Sequence, residues 1–289
     1  MLAIDGTNLL YRTYHALAGT DRADERYPHW VLDGLLATLG KQVALHRPSS
    51  LVVALDGSGG CPWRLEHAPE YKAGRASTPE YLVSELRAAG DILGQLGIAW
   101  RTGGEWEADD VLATLATRAS EMGARAVVVT SDKDAHQLVG EAVMVYKPEG
   151  IIVTDEMLST KYGVTGARWV EYAALIGEQS DNLPGVVGIG PKRAAQIVNA
   201  FADVDEAFAG DGRASAVLGE RIAGMLAAGE GAYRRNRLVA TLRRDLDIDL
   251  GSLRINAGSA ARVRETAGAL GVERGGRSLA NALAGLGER

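Results

Sequence analysis

The segment AVVVTSDKD, residues 126–134, joins a run of apolar, mostly β-branched side chains directly to two closely spaced aspartates. Two other segments share this pattern: LAI (2–4) is followed by Asp5, and LVVAL (51–55) is followed by Asp56. Apolar runs of this length, without polar alternation, are typical of strands that are buried on both faces of a sheet. We therefore predict three buried strands, each of which delivers an aspartate at its carboxyl end.

Segments with helical periodicity separate these strands, at about 31–45, 78–96 and 108–122. Strands alternating with helices at this spacing predict an α/β fold with a mostly parallel sheet that is flanked by helices. In such sheets the functional crevice lies beyond the carboxyl ends of the strands. From about residue 160 onward, short helical segments with many glycines predict a second, mainly helical region.

The composition restricts the class of protein. Hydrophobic residues make up 46% and charged residues 24%, as in ordinary soluble globular proteins, and no apolar run is long enough to cross a bilayer. The single cysteine, Cys61, excludes an internal disulfide and all-thiolate metal sites, so we expect a cytoplasmic protein. The net charge of −6 argues against a nucleic-acid partner unless the acidic residues are concentrated in one site and neutralised by cations.

Carboxylates are concentrated in five segments. Three carboxylates, Glu107, Asp109 and Asp110, stand at the start of the helix at 108–122. Capping of the helix would explain one acidic residue there, but three in four residues are more than capping requires. Like charges this close repel each other, and cation binding is a common remedy. The nine candidates are Asp5, Asp56, Glu107, Asp109, Asp110, Asp132, Asp134, Glu178 and Asp181. Oxygen ligands suit Mg²⁺ or Mn²⁺, and two such ions about 4 Å apart catalyse phosphoryl displacement, so the residues alone predict a two-metal phosphodiesterase or phosphatase.

The ordered motifs resemble a family, the 5′-nuclease or flap endonuclease domain of bacterial DNA polymerase I, in free-standing form. The matching segments are IDGTN and YRTYH near the N-terminus, EADDV, SDKD, and SDNLPGV followed by GIGPK. The resemblance runs in order over residues 1 to about 250. It implies a PIN-like 5′-nuclease core over 1–160 with a helical arch at about 60–95. It also implies a helical DNA-binding region over 161–289, with a helix-hairpin-helix at about 181–200.

The resemblance assigns the carboxylates to two metal sites. Asp5, Asp56, Glu107 and Asp109 would hold the first ion, with Asp110 close by. Asp132, Asp134, Glu178 and Asp181 would hold the second, directly or through water. Among these, Asp109 and Asp132 are the carboxylates that we assign directly to catalysis. The family usually has aspartate where this chain has Glu178, and the additional methylene moves the carboxylate outward by roughly 1.5 Å.

Basic residues supply the expected DNA contacts. The segment that contains Tyr71, Lys72 and Arg75 would, by itself, be interpreted as a solvated basic turn. The resemblance instead places these residues in the arch. There Lys72 and Arg75 would act on the scissile phosphate, and Tyr71 would stack on an unpaired base. Arg12 would supply a further phosphate contact.

Glycines mark the second expected DNA contact. Gly188 and Gly190 precede Lys192 in a segment similar to a helix-hairpin-helix turn, which by itself could equally be a tight turn between helices. Family members often bind K⁺ in this hairpin. The arginines at 234, 235, 237, 243 and 244 could extend a phosphate track or form a solvated helix face.

The resemblance implies a structure-specific 5′-3′ exonuclease and flap endonuclease of replication and repair, using two or more Mg²⁺ or Mn²⁺ ions. The expected partner is DNA with a 5′ flap, nick or gap, including RNA-primed DNA, and we expect a monomer that works beside a separate DNA polymerase. Two alternatives stay open: a PIN-like metal-dependent ribonuclease, and a catalytically dead protein that binds branched DNA. A phosphatase with an aspartyl nucleophile is less consistent, because Thr7 stands where that class needs a second aspartate.

Overall fold

A six-stranded sheet forms the centre of the molecule. The computed structural model describes residues 1–21, 23, 28–57, 59–250, 253–256 and 258–287. The strands are β1 (Leu2–Asp5), β2 (Leu51–Leu55), β3 (Trp100–Thr102), β4 (Ala126–Val129), β5 (Val143–Lys147) and β6 (Ile151–Val153), in the order β3-β2-β1-β4-β5-β6. All pairs are parallel except β5 with β6. The predicted mostly parallel sheet is confirmed, and the three predicted strands are its three central members.

Helices cover both faces of the sheet because successive side chains of a strand point to opposite faces. In β1, Ala3 packs into one hydrophobic core, whereas Leu2 and Ile4 pack into the other. The helices of the first half of the chain are α1 (Gly6–Leu17), α2 (Trp30–His46), α3 (Pro62–His67), α4 (Glu80–Gln95) and α5 (Ala108–Glu121). The predicted helical periods therefore correspond to α2, α4 and α5.

From residue 154 onward, the described residues are mainly helical and include a short two-stranded ribbon. The ribbon consists of β7 (Gly177–Glu178) and β8 (Leu183–Pro184), which are antiparallel. The helices are α6 (Asp155–Tyr162), α7 (Trp169–Ile176), α8 (Pro191–Ala200), α9 (Arg213–Leu218), α10 (Glu220–Ala228), α11 (Glu230–Ala240), α12 (Ser259–Thr266) and α13 (Glu273–Ala284). Helices α7, α8, α10 and α11 share the hydrophobic core that also covers one face of the sheet.

The last two helices, α12 and α13, do not pack with the rest of the predicted helical region of 161–289. Apolar residues of α12 and α13, including Val263, Leu279 and Leu283, belong to the core on the opposite face of the sheet, with α2. Close approach explains this packing, because a Cβ atom on Gly275 would lie 1.8 Å from the carbonyl oxygen of Asp33 in α2. The C-terminal residues therefore complete the nuclease core rather than extend the hairpin region.

A helix that crosses a bilayer must be both long and apolar. Within the described ranges, none of the helices combines the length and the apolar character that crossing a bilayer requires.

Candidate active site

The carboxyl ends of the central strands bring the predicted aspartates to one edge of the sheet. Asp5 ends β1 and is 3% exposed. Its Oδ1 accepts a hydrogen bond from the amide of Asn8 (2.9 Å), and its Oδ2 accepts one from Thr130 Oγ1 (2.7 Å) at the end of β4. Burial, together with the neighbouring charges of Asp56 and Asp132, raises the pKa of Asp5 to about 7.

Asp56 and Asp132 are held by backbone donors of adjacent elements. Asp56 Oδ1 accepts a hydrogen bond from the amide of Ala108 (2.8 Å), which joins the end of β2 to the start of α5. Asp132 Oδ1 accepts one from the amide of Asp134 (2.8 Å). Burial raises the pKa of both carboxyls. These bonds keep the acidic loops in fixed positions although the carboxylates repel one another.

Asp109 carries the clearest sign that a cation belongs here. Its Oδ1 is buried and has no hydrogen-bond partner, although buried polar atoms are nearly always paired. Burial, together with the charges of Asp132 and Asp5, raises its pKa well above the ordinary value. Asp134 is similar, since burial and the charges of Asp132 and Asp181 raise its pKa well above the usual range.

Glu107 is held by cationic and phenolic donors at the start of α5. Its Oε2 accepts hydrogen bonds from Arg64 Nη1 (2.9 Å) and Tyr71 Oη (3.0 Å), and its Oε1 accepts one from Lys72 Nζ. Burial alone would raise the pKa of Glu107, but Lys72 and Arg64 hold it below the ordinary value. Asp110 is fully buried and forms a bidentate ion pair with Arg64.

The basic turn at residues 69–75 lies directly over the ribbon. The amide of Lys72 donates to the carbonyl oxygen of Asp181 (2.9 Å), and Arg75 Nη2 donates to Asp181 Oδ1 (2.6 Å). Asn182 Nδ2 donates back to the carbonyl oxygen of Glu70 (2.9 Å). The two predicted cations therefore reach the acidic cluster, as the arch hypothesis requires.

Tyr71 is placed differently from the prediction that it stacks on a base. It is 8% exposed and packs with Ala68, Leu183 and Val239, and its hydroxyl is engaged by Glu107. Stacking on a nucleotide would require the ring to leave this packing. In the structure its role is to hold Glu107.

A cleft of about 190 Å³ lies between the strand ends, the basic turn and the ribbon. The residues that line it are Asn8, Arg75, Ser131, Asp132, Lys133, Asp134, Glu178, Ser180 and Asp181. Glu178 Oε1 accepts a hydrogen bond from Ser180 Oγ (2.7 Å), and its Oε2 lies 4.0 Å from Lys133 Nζ. The longer side chain at position 178 thus lies at the rim of this cleft.

The carboxylate oxygens of the acidic cluster are suitable ligands for divalent cations, although many of them accept hydrogen bonds or form ion pairs within the protein. Of the residues that the structure describes, no three Asp, Glu, His or Cys side chains stand together in a metal-binding arrangement. The carboxylates of Glu107 and Asp181 are paired with Lys72 and Arg75. The unpaired oxygen of Asp109 and the raised pKa values of its neighbours show that the excess negative charge is not balanced by these pairs.

Comparison with known proteins agrees with this geometry. Residues 1–163 match the family described as "5′-3′ exonuclease, N-terminal resolvase-like domain", and residues 164–261 match "5′-3′ exonuclease, C-terminal SAM fold". The chain belongs to the 5′-3′ exonuclease family.

Relatives of this chain include much longer proteins. A thermostable DNA polymerase I of Thermus thermophilus is 35% identical over 258 residues, which are 88% of this chain and 30% of the relative. A DNA polymerase I of Mycobacterium bovis is 34% identical over 258 residues, 86% of this chain and 28% of the relative. The chain therefore spans less than a third of the length of these curated relatives.

Solved structures share the fold of this chain. The T5 D15 protein, co-crystallised with metal ions, has a TM-score of 0.68 at 19% identity over 98% of both chains. Human GEN1 in complex with Holliday junction DNA has a TM-score of 0.65 at 15% identity, over 98% of this chain and 71% of that one. The catalytic core of Rad2 with a DNA substrate has a TM-score of 0.59 at 16% identity, over 97% of this chain and 92% of that one.

The predicted hairpin lies between the ribbon and α8. Gly188 adopts a positive φ of 82°, and Gly190 is the N-cap of α8, with Pro191 at the first helical position. A Cβ atom on Gly190 would meet nothing within 4 Å, so the start of this helix is open to an approaching group. Lys192 lies exposed in its first turn.

The other predicted DNA contacts lie outside the acidic cluster. Arg12, on α1, is half-exposed and pairs with Glu149 at 3.3 Å in the turn between β5 and β6. In the arginine cluster, Arg237 pairs with Asp203 and Asp205, and Arg243 pairs with Asp245. The anionic partners of Arg237 and Arg243 favour the solvated-face interpretation for these two arginines.

Residues that the sequence did not single out also shape this site. Thr130 bonds Asp5 and also accepts from the amide of Asp132 (3.0 Å). Thr7 Oγ1 accepts from the amide of Asp56 (2.9 Å), and Asn8 Oδ1 accepts from Ser131 Oγ (2.7 Å). Their positions next to the strand-end aspartates are the only signal that could have indicated them. Arg64 was also missed, and no local pattern marks it.

Proposed function

We propose that this chain is a divalent-metal-dependent 5′-nuclease, a 5′-3′ exonuclease and flap endonuclease that hydrolyses phosphodiester bonds of branched or nicked DNA. The observation that carries the proposal is the convergence of the strand-end aspartates with the basic turn at 69–75. Carboxylates for cations and two basic side chains for a phosphate then meet at one edge of the sheet, where Arg75 also lines the cleft. Family membership and the similarity in fold support it.

The metal sites follow the grouping of the carboxylates. Asp5, Asp56, Glu107 and Asp109 would hold one cation, and Asp132, Asp134, Glu178 and Asp181 the other. We propose Mg²⁺ or Mn²⁺, because every donor is a hard oxygen. When bound, the two cations supply a water of lowered pKa and charge stabilisation of the attacking and leaving oxygens. Cleavage that leaves a 5′-phosphate and a 3′-hydroxyl is the expected outcome.

The protein's own side chains orient the scissile phosphate. Lys72 Nζ and the guanidinium of Arg75 are near enough to the cleft to pair with Glu107 and Asp181. An arginine suits bidentate binding of a phosphate, and a lysine suits compensation of charge that develops in the transition state. Both would exchange a carboxylate partner for a phosphate oxygen when DNA enters.

DNA binding would use the phosphate backbone away from the cleft. Gly188, Gly190 and Lys192 offer an open helix N-terminus with an adjacent cation, which is a favourable arrangement for a phosphate, and K⁺ could bind in this hairpin. Arg12 would contact a second phosphate. Recognition of this kind follows the structure of the DNA rather than its base sequence and weakens as salt is raised.

The test compares labelled 5′-flap DNA, nicked DNA, single-stranded DNA and single-stranded RNA, each with Mg²⁺, Mn²⁺ or EDTA. We expect cation-dependent cutting of the flap and nicked substrates, and no cutting by Asp132→Ala or Asp109→Ala despite retained binding of branched DNA. Preferential cutting of the RNA would favour the ribonuclease alternative. Binding without cutting by the wild-type chain would favour the catalytically dead alternative.

The setting that we propose is the cytoplasm, where the chain would act as a monomer in replication and repair. A separate DNA polymerase would fill the gaps it leaves, and RNA primers ahead of a nick would be among its substrates. The single cysteine supports a reducing compartment.

A further inference from the structure

Arg64 is a buried arginine at the point where three parts of the molecule meet. Its side chain is 3% exposed. It lies on α3 and bonds residues at the start of α5, and its Nε donates to the carbonyl oxygen of Val239 in α11 (3.1 Å). A buried guanidinium needs compensation for nearly all of its donors. Here the compensation comes from two carboxylates, one carbonyl and the thiol of Cys61, whose Sγ accepts from Nη1 (3.5 Å).

Asp110 is the main counter-ion of Arg64 and has its acceptor positions filled by the protein. Oδ2 accepts from Arg64 Nη1 (2.7 Å) and from the amide of Glu107 (3.3 Å). Oδ1 accepts from Arg64 Nη2 (2.9 Å) and from the amide of Arg243 (2.9 Å). A carboxylate offers about four lone-pair positions, so four donors leave none for a cation. Asp110, grouped with the metal ligands by its spacing, therefore differs from its neighbour Asp109, which keeps an unpaired oxygen.

Glu107 receives Arg64 on one oxygen only. Arg64 Nη1 (2.9 Å) and Tyr71 Oη (3.0 Å) both donate to Oε2, so this oxygen is fixed from the side of α3 and the basic turn. The other oxygen, Oε1, is bonded by Lys72, which is one of the two cations that reach the cleft. One nitrogen of Arg64 thus joins the filled carboxylate of Asp110 to the carboxylate of Glu107.

We propose that Arg64 is a positioning residue: with Asp110 as its structural counter-ion, it orients Glu107 for cation binding without touching DNA or the cation. The proposal rests on the proposed function in one respect, namely that Glu107 is a cation ligand. Groups that orient a metal ligand commonly change metal affinity or activity by about 10- to 100-fold when they are removed. Lysine cannot replace this arginine, because one ammonium cannot reproduce the planar fork that spans two carboxylates.

The experiment measures Mn²⁺ affinity by calorimetry, and kcat and KM on flap DNA, for the full chain and four variants. Arg64→Met and Arg64→Lys remove the fork. Arg64→Met combined with Asp110→Asn removes the pair together and leaves an acceptor for the amide of Arg243. Arg168→Met is the matched control, since Arg168 is a partly buried arginine that bonds Glu171 and the carbonyl oxygen of Phe201. Circular dichroism and thermal unfolding check that each variant folds.

We expect every Arg64 variant that folds to bind Mn²⁺ about 10- to 100-fold more weakly, with a similar loss in kcat and a KM for DNA within about twofold. The double variant should unfold at a higher temperature than Arg64→Met, because it lacks the unpaired buried carboxylate, and yet keep the weak Mn²⁺ affinity. The control should lose stability while keeping wild-type Mn²⁺ affinity and kcat. If Arg64 had only a structural role, Mn²⁺ affinity and unfolding temperature would change together across these variants.

Wild-type Mn²⁺ affinity and kcat in folded Arg64→Lys and in the double variant would overturn the proposal. If the wild-type chain binds Mn²⁺ but cuts no DNA, the proposed function fails while the Mn²⁺ affinities still decide the role of Arg64. If the wild-type chain binds no Mn²⁺ at all, both proposals are wrong.

Discussion

Acid should destabilise this protein through a single buried histidine. His136 follows the SDKD segment, is fully buried, and packs edge-on against Trp169 with ring centroids 4.4 Å apart. Neither of its ring nitrogens has a hydrogen-bond partner. Burial lowers its pKa to about 4, and the positive charges of Lys147 and Lys133 act in the same direction. The neutral imidazole is therefore the form that the fold accommodates.

The pH window follows from these values. An unfolded histidine has a pKa near 6.5, so the unfolded chain takes up a proton at this position as the pH falls below about 6.5 while the folded chain does not. Stability from His136 is complete at neutral pH and is lost progressively as the pH falls toward the folded pKa of about 4. Between pH 7 and pH 5 the linkage relation gives a loss of about 2 kcal/mol in the free energy of unfolding.

The assay is urea unfolding of the wild type and of His136→Phe, at pH 7 and pH 5, with EDTA present. The carboxylates of the cleft also titrate in this range, but they are common to both proteins and cancel in the comparison. Any packing strain from the phenyl ring does not depend on pH and cancels as well. The stability of the variant relative to wild type should therefore rise by about 2 kcal/mol from pH 7 to pH 5. A relative stability that is the same at both values would refute the reasoning.

Three further predictions concern the cleft and the core. Asp109→Asn should raise the unfolding temperature in EDTA at pH 7, because the pKa of Asp109 is raised well above its ordinary value by burial; at a Mg²⁺ concentration a hundredfold above the Kd of the site that contains Asp109, the wild type should then gain about 3 kcal/mol more than the variant, which keeps only the second proposed site. In the flap assay, Lys72→Ala should lower kcat about 100-fold or more, because it removes a donor that stabilises the transition state. The control Lys161→Ala removes an exposed lysine of α6 and should leave kcat unchanged in the same assay. Gly275→Ala should destabilise the fold by about 1–3 kcal/mol in urea unfolding, because its Cβ would lie 1.8 Å from the carbonyl oxygen of Asp33; unchanged stability would contradict the packing of α13 on α2.

The sheet and its acidic edge could be predicted from the sequence because both depend on local patterns. An apolar run of three to five residues that is followed closely by aspartate indicates a buried strand and also where its carboxyl end lies. The structure places Asp5, Asp56 and Asp132 at that edge as expected. Parallel pairing then brings together residues that are far apart in the chain.

The orientation of adjacent side chains could not be predicted in the same way. Asp109 and Asp110 are neighbours in the first turn of α5, and consecutive residues of a helix point about 100° apart. Spacing alone does not say which of them faces the cleft. The distinction depends on Arg64, which lies 46 residues from Asp110 in the sequence and stands on a six-residue helix without a distinctive pattern.

The position of the C-terminal helices was unpredictable for a related reason. Their sequence is rich in alanine, glycine and arginine, which predicts helices but not the surface they cover. The amide of Gly275 donates to the side chain of Asp33 (2.7 Å) across 242 residues of chain. Contacts between residues so far apart in the sequence depend on the complementary shapes of the two helix surfaces. The small residues of one helix do not indicate which surface it packs against until both helices are known.

The distribution of charge resolves the conflict between an acidic chain and a DNA substrate. Arg64, Lys72 and Arg75 balance Glu107, Asp110 and Asp181, whereas the bonds to Asp5 come from a neutral hydroxyl and an amide. The uncompensated charge is thus concentrated on the strand-end aspartates, where burial has raised the pKa values. A divalent cation gains most from such groups, and its binding must release the protons that they hold. The acidic cluster at the strand ends would therefore oppose DNA binding only while cations are withheld.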